Sequence, residues 1–130
     1  MNKVSLVLVS HSRDIVEGLK ELLTQVEPNV KIAIAGGFNG ELGTDPLEIK
    51  AAIESVHSEK GVALFFDIGS AWMNAEIAIE MLDEYSHIKI VDAPLIEGAY
   101  AAVVAAGLDN NLEKVVKTAE GVRELRKINR

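Results

Sequence analysis

Short β-branched runs alternating with helical periodicity leave this chain one economical architecture. Lys3–Val9 is apolar almost without interruption, and Val30–Ala35, Gly61–Phe66 and a weaker His87–Val91 repeat the pattern. Each has the length of a buried strand, and between them apolar residues recur at three and four. Strands that alternate with helices build a parallel sheet covered on both faces, an α/β three-layer sandwich. Right-handed crossovers let the first strand pair with both the second and the third. The expectation is a mainly parallel four-stranded sheet of order 2-1-3-4.

The helices can be read in the same way. In the first, Ile15, Val16, Leu19, Leu22, Leu23 and Val26 share a face, with Ser12 as N-cap. The second opens on Asp45-Pro46, a cap followed by a proline suited to the first helical position, and Glu48 is placed to close a capping box. Ile49, Ala52, Ile53 and Val56 form its buried stripe. A third helix runs from about Ser70 to Asp83, with apolar residues on more than one face. The fourth, Leu95–Ala106, is nearly all apolar and is stopped by Gly107. The last begins at Asn110 or Asn111 and buries Leu112, Val115, Val116, Ala119 and Val122. Its basic end, Arg123–Arg130, suits a helix C-terminus. With no repeat, linker or low-complexity tract, the 130 residues are expected to form one domain.

Composition removes several function classes. There is no cysteine, which excludes disulfides, thiolate metal sites and thiol catalysis. The net charge of −7, from 13 basic and 20 acidic residues, opposes nucleic-acid binding. It is compatible with a basic protein partner, although solubility is its commoner meaning. The first apolar run is too short for a membrane span, and no signal-peptide pattern precedes it. A cytoplasmic protein without membrane attachment is expected.

One residue stands where such a fold places chemistry. Ligands of open α/β sheets bind at the carboxyl ends of strands, and His11 follows the first strand directly. In the order 2-1-3-4, Asp67 at the end of the third strand comes beside it. Gly36-Gly37 and Gly69-Ser70 then flank the same crevice, with helices starting after Ser12 and around Ser70. A neutral imidazole, a carboxylate to orient it and an anion-binding rim suit phosphoryl transfer through histidine. Backbone N–H groups and the Ser12 and Ser70 hydroxyls would neutralise the phosphoryl oxygens. No metal or other cofactor is required, and no metal-ligand cluster is present in the sequence.

Each part has an ordinary reading as well. A strand-end histidine is more often structural, Asp67 alone is a common helix cap, and Gly36-Gly37 alone marks a turn. Arg13 is more readily solvated than phosphate-bound. Trp72 and Met73 suit a partner surface, with core burial the commoner fate for Met73. His57 and His87 receive no role. It is the coincidence of parts that favours chemistry. The phosphate-binding loop G-x-x-x-x-G-K-[ST] and the dinucleotide fingerprint are both missing. Ser-His-Ser also stands where a receiver domain would carry acidic residues, so Asp67 is a poor phospho-acceptor.

A set of segments in fixed order adds to this reading. Val7-Leu-Val-Ser-His11-Ser, Gly36-Gly37, Leu42-Gly-Thr-Asp45, Phe66-Asp-Ile-Gly-Ser-Ala-Trp-Met-Asn-Ala-Glu76 and Ala93-Pro-Leu-Ile-Glu-Gly-Ala99 resemble the mannose-type EIIA fold family. Within it they resemble the phosphotransferase subunits of phosphoenolpyruvate-dependent dihydroxyacetone kinases, the DhaM group. The resemblance implies that His11 accepts a phosphoryl group from the phosphocarrier HPr. It implies transfer onward to ADP on the nucleotide-binding subunit of the kinase, with Asp67 as the orienting aspartate. It further implies a homodimer, in a short form served by a separate HPr.

Rival readings remain. A mannose-type EIIA domain of a sugar transporter shares the histidine chemistry but commonly continues into an Ala/Pro-rich linker. A small tetrapyrrole metal chelatase is more distant, because the glycine after its strand-end histidine is missing here. A regulatory module would use the crevice without turnover.

Overall fold

The centre of the sheet is β1 (Ser5–Ser10), buried at every position. The computed structural model describes residues 2–82 and 87–129. After β1 come α1 (Arg13–Val26), β2 (Ile32–Gly36), α2 (Pro46–Val56), β3 (Val62–Phe66), α3 (Ser70–Glu80) and β4 (Ile88–Ile90). Then follow α4 (Leu95–Gly107), α5 (Leu112–Glu120) and a 3-10 turn, Gly121–Glu124. All pairings are parallel, in the order β2-β1-β3-β4. This is the α/β sheet that the alternation of runs predicts.

Alternating side chains of the strands serve two cores. Leu6, Leu8 and Phe65 face α1, α4 and α5, where Val16, Leu23, Val103 and Val115 meet them. Val7, Val9 and Leu64 face α2 and α3, against Ile49, Ile53, Ala71 and Ala75. Full burial of each such aliphatic side chain contributes about 1.5–3 kcal/mol, so the two-period of the strands fixes which helices cover which face. Register then sets the site: Val9 pairs with Ala35 on one side and Phe66 on the other. His11 and Asp67 therefore leave neighbouring strands at nearly the same level.

Several local expectations change. The α1 stripe is narrower than its periodicity suggests: Val16, Leu19 and Leu23 are buried, whereas Ile15, Leu22 and Val26 are exposed. That helix packs chiefly on the edge strand β2, so only part of its apolar arc meets the sheet. Ser12 holds the N-cap position but makes no side-chain cap bond. Asp45 does cap α2, accepting from the Leu47 N–H at 3.0 Å. Glu48 closes no capping box, because it turns to the Gly36 N–H at 3.0 Å and to Arg13. Arg13 is thus paired rather than free in solvent, and Met73 is exposed rather than in the core.

At the other end, α5 stops at Glu120 and the 3-10 turn ends at Glu124, so 125–129 do not continue the helix. Val116 and Val122 are only half-buried. The third helix ends at Glu80, with Met81 as its C-cap, short of the expected Asp83; Asp83 and Arg130 themselves lie outside the described residues.

Candidate functional site

The site begins with a serine that ends β1. Ser10 is fully buried, and its hydroxyl donates to Asp67 Oδ2 at 2.8 Å while accepting the Ser12 N–H at 3.0 Å. The His11 N–H donates to the same Oδ2 at 3.0 Å. Asp67 Oδ1 accepts from the Ile68 N–H at 2.7 Å and lies 3.1 Å from His11 Nδ1. Burial pushes the Asp67 pKa up, but the N–H groups of His11 and Ile68, the Ser10 hydroxyl and the His11 ring outweigh it. The carboxyl is held below its ordinary value.

That charge state dictates the tautomer. An ionised carboxylate only accepts, so Nδ1 is the protonated nitrogen and a neutral ring keeps its lone pair on Nε2. Nε2 lies 3.3 Å from Ser70 Oγ, at the first residue of α3. The preceding Gly69 has φ 52° and ψ −125°, a conformation that a residue with a Cβ avoids. The two helices that begin beside His11, α1 and α3, carry no side-chain cap bond, whereas α2 and α5 do. In α3 the Ala71 and Trp72 N–H groups donate to the Ile68 and Gly69 carbonyls at 3.3 Å, which leaves chiefly the first N–H groups of α1 for an anion.

The expected rim residues divide into two groups. Gly69 and Ser70 are at the imidazole. Gly36 pairs with Ser10 across the sheet, but its N–H is committed to Glu48. A Cβ there would lie 2.9 Å from Val16 Cγ2, so its small size serves the packing of α1 on β2. Gly37 lines a neighbouring cavity of about 520 Å³ together with Ser12, Arg13, Phe38 and Glu48; His11 is not among its walls.

Sequence reading overlooked three contributors. Ser10 is one, signalled by a polar residue closing an apolar strand before the histidine and by its place in the Val7–Ser12 segment. The others are Thr44 and Asn74. The Gly43 N–H donates to the His11 carbonyl at 2.8 Å. Asn74 Nδ2 donates to Thr44 Oγ1 at 2.5 Å and to its carbonyl at 3.4 Å. Among the described residues, no group of three or more His, Asp and Glu is arranged to hold a metal ion.

Comparison with known proteins bears on this geometry. The family model EIIA-man, a PTS system fructose IIA component, matches residues 5–116. The phosphoryl donor subunit DhaM of PEP-dependent dihydroxyacetone kinase 2 from Listeria innocua is 39% identical, over 92% of this chain and 98% of its own length. The DhaM subunit of Klebsiella michiganensis is 38% identical over 96% of this chain, which spans 28% of that longer protein. A crystal structure of a protein of unknown function superposes with a TM-score of 0.84 at 37% identity, covering 93% of this chain and 95% of the other.

Proposed function

The chain belongs to the EIIA-man family, in its DhaM branch of phosphoryl donor subunits, and from that membership we propose that His11 carries a phosphoryl group between two proteins. The donor is the phosphohistidine of HPr. The acceptor is ADP held on the nucleotide-binding subunit of dihydroxyacetone kinase. The chain acts in the cytoplasm, as a single domain that pairs into a homodimer.

The observation that carries this reading is the imidazole itself, oriented by Asp67 at Nδ1 with Nε2 directed toward Ser70. In the loading step the Nε2 lone pair attacks phosphorus in line. The new N–P bond forms as the bond to the donor's imidazole nitrogen breaks, and that nitrogen leaves with the electron pair. Charge on the equatorial oxygens meets the first N–H groups of α1 and the Ser12 and Ser70 hydroxyls. Asp67 stabilises the ring as it becomes cationic. In the unloading step a terminal β-phosphate oxygen of ADP attacks the same phosphorus, and Nε2 recovers its lone pair. No net proton is consumed, which suits a reversible carrier.

The test is labelling with phosphoenolpyruvate, Enzyme I and HPr. Acid-labile, base-stable phosphate is expected on His11, located by mass spectrometry. It should leave rapidly only when the ADP-loaded kinase subunit is added. Stoichiometric labelling of His11→Ala would overturn the assignment, and equally fast loss to free ADP would place a nucleotide site in this chain.

A further inference from the structure

Asn74 has no place in the chemistry just described, yet it joins the two halves of the site. It lies one turn beyond Ser70 on α3, so the two side chains share a helix face. Asparagine is a middling helix former because its amide competes for other partners. Here the partner is 30 residues away: Thr44, through both its hydroxyl and its carbonyl. Thr44 follows Gly43, whose N–H holds the His11 carbonyl and whose φ of 141° lies outside the range that side-chain-bearing residues favour. Asp45 comes next and caps α2. The loop from Gly36 to Thr44 carries four glycines and has little stiffness of its own.

A continuous set of contacts thus runs from α3 through Asn74, Thr44 and Gly43 to the main chain of His11. Asp67 holds the ring and the backbone N–H of His11, whereas the loop holds its carbonyl, and the angle at which Nε2 meets an incoming phosphorus depends on both. We infer that Asn74 is a positioning residue for phosphoryl transfer: through Thr44 it sets the Gly36–Thr44 loop, and with it the His11 backbone, relative to Ser70. This rests on the phosphocarrier reading above and adds a residue to it. A small misplacement of a reacting atom slows in-line transfer without weakening partner docking.

The experiment uses the full chain as wild type, Asn74→Ala, Thr44→Val, Thr44→Ser and the Asn74→Ala/Thr44→Val double variant. Phosphate transfer from phosphorylated HPr to His11 is measured with kcat and KM separated, alongside thermal unfolding and hydrogen exchange at the Gly43 amide. Asn74→Ala and Thr44→Val should each lower kcat about tenfold, the scale of one well-placed hydrogen bond, with KM for the donor unchanged. Gly43 exchange should quicken in both. The double variant should be no slower than either single one, since both act through one contact. Thr44→Ser, which keeps the hydroxyl, should restore the rate.

An unchanged kcat in folded variants, additive losses in the double variant, or an effect confined to Tm would overturn the inference. Should Asn74→Ala not fold, the near-isosteric Thr44→Val against Thr44→Ser decides the matter. A wild type that takes no phosphate overturns the phosphocarrier reading itself, and this inference with it.

Discussion

Asp67 concentrates more of the site's energetics than any other side chain, with contacts from the N–H groups of His11 and Ile68, the Ser10 hydroxyl and the His11 ring. Asp67→Asn keeps the shape but offers an amide that can donate, so His11 loses its preference for the Nδ1–H tautomer. The phosphotransfer rate should fall roughly ten- to a thousandfold, about 1.4–4 kcal/mol of transition-state stabilisation, in a protein that remains folded. Single-turnover labelling measures it. The same residue predicts a pH dependence. Its folded pKa is depressed, so its contribution to stability is complete above the ordinary aspartate value of about 3.9 and is lost as pH falls through the lower folded value. Denaturation midpoints of Asp67→Asn should therefore decline less steeply below about pH 4 than those of wild type. His11 and Asp67 were legible because each ends an apolar run whose sheet position follows from topology. Ser10 was not, because only the folded register shows that its hydroxyl faces Asp67. Nor was the missing Ser12 cap, since a sequence does not reveal that Ser10 is the serine engaged with backbone.

At the scale of elements, the approach of α1 to β2 decides where His11 stands. Gly36 is the point of closest approach: a Cβ there would lie 2.9 Å from Val16 Cγ2, 3.0 Å from the Ser10 carbonyl and 3.2 Å from Arg13 Cα. Gly36→Ala should cost about 1–3 kcal/mol through overpacking, read as a lower urea midpoint at unchanged m-value. Because the strain presses on Ser10, phosphotransfer should slow as well; normal stability in the variant would mean that α1 shifts freely. This glycine reads in sequence as a turn or a phosphate-binding residue, and only the register on Ser10 gives it a packing role. Glu48 is parallel. Its spacing from Asp45 fits a capping box, but β2 ends within its reach and presents an N–H at 3.0 Å. Period and caps place elements well, whereas competition between partners from different elements is settled in three dimensions. The end of α5 follows the same logic: basic residues suit a helix C-terminus, yet the chain tightens at Gly121 into a 3-10 turn, where Arg123 reaches Asp92 at 2.8 Å.

Besides Ile15, Leu22 and Val26 on α1, exposed apolar side chains of the described residues gather on α4 and at the carboxyl end of the sheet. On α4, Ile96, Tyr100 and Val104 recur at four-residue intervals on the surface, and Leu108 follows at its C-cap. That stripe supports the proposed homodimer, and Val104→Arg should convert a dimer to a monomer in sedimentation equilibrium. A monomeric wild type would remove the proposal. The second group lies at the carboxyl end of the sheet. Phe38 and Leu42 follow β2, Leu47 opens α2, Ile68 sits between β3 and α3, and Trp72 and Met73 occupy the first turn of α3. Ile68 is 68% exposed although it is the residue next to Asp67. Exposed apolar groups collected around polar chemistry suit a protein-binding surface, as the proposed transfer between two proteins requires. Core packing does not account for them, since none belongs to either buried cluster. Ile68→Glu should therefore raise KM for phosphorylated HPr at least about tenfold, or about 1.4 kcal/mol, while kcat and Tm stay at wild-type values. Leu22→Glu is the control, also an exposed aliphatic residue but on α1, away from the sheet end. An increase in KM for both variants would trace the effect to added negative charge on a chain already at −7. An increase for neither would leave Ile68 outside the docking surface. An increase for Ile68→Glu alone places the partner over the end of β3, where Nε2 of His11 meets its phosphorus.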